Sequence, residues 1–221
     1  MDPFILLEKL KHYCFSSDAI NLMTNYFFNR KQLVKLGDVK SSLLQISLGV
    51  PQGSILGPLL FKIFINDIVF FIKLLAKLFA DDTTIYNNYD PKTFSIQLAI
   101  EDFKKSLGPL LEWCEFNRLD INWDKTHFMF ISYRKQVFPE FIEVLGNRVL
   151  VVDEFKLLGI TLDNTLNFCK HVSNTLKAIN TKLFSIKRLF FLPLAVKIQF
   201  FKTFILPYFD YCFSLCIYFP K

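Results

Sequence analysis

Apolar and polar positions along this chain switch between a helical period and a two-residue alternation, and the switches mark its elements. Apolar residues three and four apart predict helices over 3–14 and 17–28, the first opened by Asp2 as N-cap with Pro3 behind it. A hairpin turning at Gly37-Asp38 follows, with strands over 31–36 and 43–47. A loop over 49–54 leads into an apolar run that reads as one helix from Ile55 to Leu75, with Phe61, Phe64, Ile65 and Ile68 on one side. Alternation returns in a hairpin over 77–87, and Asp90-Pro91 opens a further helix that Gly108-Pro109 breaks or kinks before 110–117. Strands over 126–132, 140–144, 148–151 and 155–162 form meander-like hairpins, one turning at Gly146-Asn147. Helices over 168–190 and 194–216 complete the chain, which makes the expected fold class α+β.

Between the apolar run and the β-prone Thr83-Thr84-Ile85-Tyr86 stands Phe79-Ala80-Asp81-Asp82, two adjacent carboxylates at a hairpin tip. Hard Mg²⁺ takes oxygen ligands and keeps positions open for water and substrate phosphates, so such a pair suits phosphoryl transfer. Asp-Asp before Thr-Thr is also an ordinary turn or helix cap. Upstream, Gly49-Val50-Pro51-Gln52-Gly53-Ser54-Ile55-Leu56-Gly57-Pro58-Leu59-Leu60-Phe61 runs from a Gly/Pro-punctuated loop into an apolar segment, with Ser54 as its N-cap. Its glycines let backbone approach a ligand closely, and Gln52 offers an amide with donors and an acceptor.

Together, the two stretches resemble the reverse transcriptase domain of non-LTR (LINE-type) retrotransposons, whose palm carries a GxPQGSxLGPLLF segment shortly before F-A-D-D. Leu111-Glu112-Trp113, Asn117, Leu119, Asn122 and Lys125-Thr126 follow the family's pattern after its catalytic hairpin. Phe155-Lys156-Leu157-Leu158-Gly159-Ile160-Thr161-Leu162-Asp163 resembles the primer-grip hairpin, and 166–172 with Pro207-Tyr208-Phe209-Asp210-Tyr211-Cys212 is similar to phrases of the thumb. The resemblance implies a partial palm, an antiparallel sheet with helices and primer-grip-like hairpins, over 1–165, and a helical thumb-like region over 166–221. It implies catalytic and metal-ligating roles for Asp81 and Asp82, with Mg²⁺ or Mn²⁺ as cofactor. It makes Lys125 a proton donor or phosphate contact for leaving pyrophosphate, sets Gln52, Gly53 and Ser54 against nucleotide and template, and has the Leu158-Gly159 backbone support the primer. The implied partners are an RNA template, a DNA primer and deoxynucleoside triphosphates. By their residues alone, Lys125 is equally a surface lysine, Leu158-Gly159 an ordinary β-turn, and Phe79 a side chain packed under its hairpin.

In this family a further metal-binding Asp stands on an upstream palm strand, in a segment reading approximately F-x-D-x-x-K-A-F-D that follows the fingers. This chain starts after that strand, and its Asp2 matches a later Asp at the head of a helix. Two-metal transfer needs ligands that clamp both cations, and neighbours on a strand point to opposite faces, so Asp81 and Asp82 alone form half a clamp. The expectation is weak cation binding and no polymerase activity from this polypeptide by itself. The alternatives are a non-catalytic nucleic-acid-binding relic and a pseudogene-like product.

The 221 residues suffice to bury a substantial core. A hydrophobic fraction of 52% with 27 Phe is high for a freestanding domain; it fits surface that other parts of such a polymerase cover, and predicts poor solubility. Lys62, Asp67, Lys73 and Lys77 interrupt the most apolar region, so no membrane partner is expected, and Glu8, Lys9 and Lys11 break any secretory pattern. The net charge of +6 favours a polyanionic partner; Arg30, Lys31, Lys35, Arg134, Lys135, Lys182, Lys187, Arg188, Lys197 and Lys202 suit a phosphate backbone or a solvated face. Cys14, Cys114, Cys169, Cys212 and Cys216 form no CxxC pair and read as buried thiols in a reducing setting, which with the absent leader predicts an intracellular protein of cytoplasm or nucleus. His12, His127 and His171 read as packing or surface residues.

Overall fold

The computed structural model describes residues 1–51, 53–90, 95–134, 136–188 and 190–218. Helices and small sheets share the chain in α+β fashion, in two compact units, Met1–Asn122 and Trp123–Lys221.

The first unit opens with α1 (Pro3–His12) and α2 (Ser17–Phe27). Asp2 accepts the Phe4 N–H at 2.8 Å with Pro3 in the first turn, the start that the Asp-Pro dipeptide predicts, and Ser16 caps α2 through Ala19. The hairpin turns at Gly37-Asp38 as expected, but its strands divide into β1 (Lys31–Gln32), β2 (Lys35–Leu36), β3 (Val39–Lys40) and β4 (Leu44–Gln45), with β1 paired to β4 and β2 to β3.

The expected helix from Ile55 to Leu75 is shorter: α3 (Leu56–Ile65) tightens into a 3₁₀ turn, Asn66–Phe70, and gives way to a strand. Lys9 meets this end of the helix: its half-buried ammonium takes the Phe64 carbonyl and the Asp67 carboxylate at 2.7 Å each and sits over the rings of Phe64 and Trp113. A cation there satisfies a carbonyl that the end of the helix leaves without a ladder partner, and so favours termination at this point. Then β5 (Leu75–Phe79) and β6 (Asp82–Tyr86) pair antiparallel, and α4 (Ile96–Phe116) closes the unit.

Gly108-Pro109 does not break α4. Proline inside a helix costs about 3 kcal/mol, but Leu110 and Trp113 just beyond it are buried, and each such side chain contributes roughly 2 kcal/mol, so packing outweighs propensity. Leu110 and Trp113 form one core cluster with Ile68; the other joins Leu6, Leu7, Leu10, Phe27, Leu60 and Phe64, and Ile65 and Leu119 pack against both.

The second unit begins with a 3₁₀ turn, Trp123–Lys125, and β7 (His127–Phe128), much shorter than the strand expected over 126–132. It continues with β8 (Phe141–Val144), β9 (Asn147–Val151), β10 (Glu154–Leu157) and β11 (Ile160–Asp163). The turn joining β8 to β9 is Leu145-Gly146, one residue before the expected Gly146-Asn147, whereas β7 adds to β9 in parallel, and the strand read over 155–162 is the hairpin of β10 and β11, a hairpin as the resemblance implies. α5 (Cys169–Arg188) buries Val172, Thr175 and Ile179 along one helical stripe.

The last expected helix is three pieces, α6 (Leu194–Phe204), α7 (Leu206–Asp210) and a 3₁₀ turn, Phe213–Tyr218, because Pro207 lacks the N–H needed to carry α6 onward. Cys212 accordingly lies in a left-handed break rather than a helix, and Cys14 and Cys169 are exposed rather than buried. Apolar surface is bare in both units, as at Ile55 (96% exposed), Phe70 and Phe190. No helix among the described residues is long and apolar enough to cross a membrane.

Candidate functional site: an acidic hairpin turn

Asp81 lies in the two-residue turn between β5 and β6, and Asp82 directly follows it. Phe79 pairs with Asp82, so Ala80 and Asp81 form the loop. Ala80 has φ +51°, the left-handed value that a tight hairpin turn asks of its first loop residue and that usually selects glycine. Alternation then divides the ribbon. Ala76, Leu78, Thr83 and Ile85 lie on one face, and Leu78 and Ile85 pack on the Ile68, Leu110, Trp113 cluster. Leu75, Lys77, Phe79, Asp82, Thr84 and Tyr86 take the other face.

Phe79 is therefore not packed beneath the hairpin. It is 62% exposed beside Asp82, because its register places it on the face away from the core. Both aspartates are exposed, one in the loop and one at the head of β6.

The glycine loop belongs to the same unit and rests on the first cluster. Val50 packs against that cluster, and the Gly49 N–H donates to the Met1 carbonyl at 2.8 Å. Gly53 has φ +80°, and Gln52 lies outside the described residues. Ser54 Oγ accepts the Gly57 N–H at 3.0 Å, the capping role its position predicts. A Cβ on Gly57 would stand 3.0 Å from that hydroxyl, so loop and helix approach closely there.

Lys125, Leu158 and Gly159 belong to the second unit. Lys125 ends the 3₁₀ turn and is exposed. Leu158 and Gly159 form the loop between β10 and β11, with φ of +47° and +88°, the pair of left-handed values that defines a type I′ turn. The Tyr211 hydroxyl donates to the Leu158 carbonyl, and its ring lies 3.4 Å from where a Cβ on Gly159 would stand.

Asp163, at the end of β11, is buried and accepts from the Thr165, Asn167 and Phe168 amides at 3.1, 3.1 and 2.8 Å and from the Thr165 hydroxyl at 2.7 Å. Burial pushes its carboxyl up, but these bonds outweigh it and hold it below the usual value. His171 Nδ1 faces the Thr161 N–H at 3.4 Å, and burial lowers its pKa. Reading the sequence for metal ligands misses Asp163 and Tyr211 as supports; the Asp-x-Thr-x-Asn spacing from Asp163 to Asn167 is the signal for the first, and no local pattern announces the second.

Two hard oxygen donors on adjacent exposed residues suit Mg²⁺, but among the described residues no three His, Cys, Asp or Glu side chains gather into a metal-holding group. The pair fits one loosely held, hydrated cation and is not by itself a two-cation clamp.

The family model for reverse transcriptase (RNA-dependent DNA polymerase) matches residues 5–162, a span that contains the glycine loop, the acidic turn and all but the last residue of the β10–β11 hairpin. The chain belongs to the reverse transcriptase family. It is similar to the RNA-directed DNA polymerase from mobile element jockey of Drosophila melanogaster, 30% identical over 186 residues that cover 80% of this chain and 20% of the relative. Similar too are the probable polymerases of transposons X-element and BS of the same fly, each 28% identical, over 73% and 77% of this chain and 18% and 19% of theirs. These relatives identify it as a reverse transcriptase domain of the non-LTR, LINE type. The chain spans about a fifth of the length of the curated relatives it matches. No solved structure matches it.

Proposed function

We propose that this chain is the palm and thumb portion of an RNA-directed DNA polymerase in which Asp81 and Asp82 hold Mg²⁺, or Mn²⁺, for two-metal nucleotidyl transfer. The observation that supports it best is the conjunction of family membership with two exposed, adjacent carboxylates on a strained turn. When bound, the cations would polarise the reacting phosphoryl group and neutralise charge on the attacking and leaving oxygens. Gln52, Gly53 and Ser54 would lie against nucleotide and template, Lys125 would contact leaving pyrophosphate, and the Leu158-Gly159 backbone would support the primer. In functional terms 1–165 is the partial palm and 166–221 the thumb. An RNA template, a DNA primer and deoxynucleoside triphosphates are the partners, which puts the site of action in the cytoplasm or nucleus.

Two carboxylates leave a two-metal clamp short of a donor, so this polypeptide alone is inactive in our reading, and an acidic strand upstream of α1 supplies what is missing. That same shortage favours a second reading, a nucleic-acid-binding relic without catalysis. Primer extension separates them. We expect no incorporation by the chain alone, incorporation when the segment preceding the matched region of the jockey polymerase is fused upstream, and its loss on Asp81→Ala. A fusion that extends primer equally well with Asp81→Ala overturns the assignment.

A further inference from the structure

From residue 164 to 209 the chain carries seven Lys and Arg and no Asp or Glu, while the remainder holds nineteen cations against twenty carboxylates. The basic character of the protein thus resides in α5 and α6, which hold all seven. Among the described residues only Lys170 of this stretch meets a carboxylate, Glu154 at 3.6 Å. Lys182 sits over the Phe204 and Tyr208 rings, Arg188 over Phe184, and Lys197 donates to the Phe190 carbonyl at 2.8 Å. Aromatic faces and a backbone oxygen hold these cations in place without neutralising them.

Between α5 and α6 runs a groove of about 410 Å³. Leu183 and Ile186 line it from α5, Phe201 from α6 and Ile205 just past it, with Phe190 at the end where the helices connect. Lys187 and Lys197 are its charged walls. Ile205 is buried at the floor, whereas Phe190 and Phe201 are open, 79% and 45% exposed. Two helices with facing apolar stripes leave room for a third, the helix-in-groove mode of recognition.

We infer that the groove between α5 and α6 is a docking surface for an acidic amphipathic α-helix supplied by a separate protein. Two features select that occupant. The floor rewards apolar side chains at i, i+3, i+4 and i+7, which a nucleic-acid backbone lacks. The acid-free rim attracts a helix whose flanks carry Glu or Asp and repels one that carries Lys. The groove lies in the stretch proposed above as the thumb, but the inference uses neither the acidic turn nor the glycine loop, so either can fail without the other.

The test uses the full chain and two fluorescein-labelled designed helical peptides with the same Leu stripe, one flanked by Glu and one by Lys, read by anisotropy at physiological ionic strength. The Glu peptide should bind and the Lys peptide should not. Phe201→Asp and the pair Lys187→Glu with Lys197→Glu should each weaken the Glu peptide at least about tenfold. The charge-reversed pair should gain the Lys peptide, a result that misfolding cannot produce. Failure of the Glu peptide to bind overturns the inference. So does a Glu peptide that Phe201→Asp leaves unaffected while an RNA–DNA duplex displaces it, which would make this face a polyanion surface.

Discussion

Three hairpins among the described residues close through two-residue turns that begin with a left-handed, non-glycine residue, at Ala80, Leu145 and Leu158, and the first and last of them have opposite surroundings. At Leu158-Gly159 the strain of a left-handed leucine is held by a hydroxyl from fifty-three residues further on, and the next strand ends in a buried, four-bonded carboxylate. At Ala80-Asp81 only one face of the ribbon meets a core, and the turn with its two acids stands in solvent. A left-handed alanine costs about 1 kcal/mol, and a turn kept strained and open while bearing two like charges is a poor device for stability. The contrast supports the proposal that the Ala80-Asp81 turn is shaped by what it binds, whereas the Leu158-Gly159 turn is shaped by what holds it.

Breaking the supported turn should have the largest effect. Asp163→Ala leaves three partly buried amides unpaired and should lower the stability of the second unit by about 3 kcal/mol in urea denaturation, with no change at the acidic turn. The same unit should weaken in acid in two stages. His171 is held below its ordinary 6.5, so the unfolded chain takes up its proton first, and stability complete above 6.5 declines as pH falls toward the folded value. Asp163 is held below 3.8, so its contribution, present above 3.8, is lost as pH drops through its folded value. Thermal melts from pH 8 to 3 with and without His171→Gln separate the stages. Tyr211→Phe keeps the ring over Gly159 and removes one hydrogen bond, a loss of about 1 kcal/mol, visible as faster amide exchange at Ile160. The smallest effect sharpens the other side: Ala80→Gly relieves the left-handed strain and should raise stability by about 0.5 kcal/mol.

The acidic turn was legible before any coordinates because alternation fixes a hairpin and the motifs fix its tip; the Asp2-Pro3 cap and the Gly37-Asp38 turn were legible for similarly local reasons. What local pattern missed was decided at long range. The end of α3 is favoured by Lys9, fifty-five residues earlier, and the continuity of α4 through Pro109 depends on the burial of Leu110 and Trp113. The outward face of Phe79 follows from strand register, which shifts every side chain when it moves by one. The Tyr211 clamp joins residues that no spacing relates.

The account rests on the acidic turn being a cation site, and paramagnetic Mn²⁺ reads that directly on the chain. Amide resonances of Ala80 to Thr83 should broaden selectively on Mn²⁺ titration, with the broadening competed by Mg²⁺ and abolished by Asp81→Asn with Asp82→Asn. Broadening that appears elsewhere first, or that survives the double substitution at that turn, would contradict it.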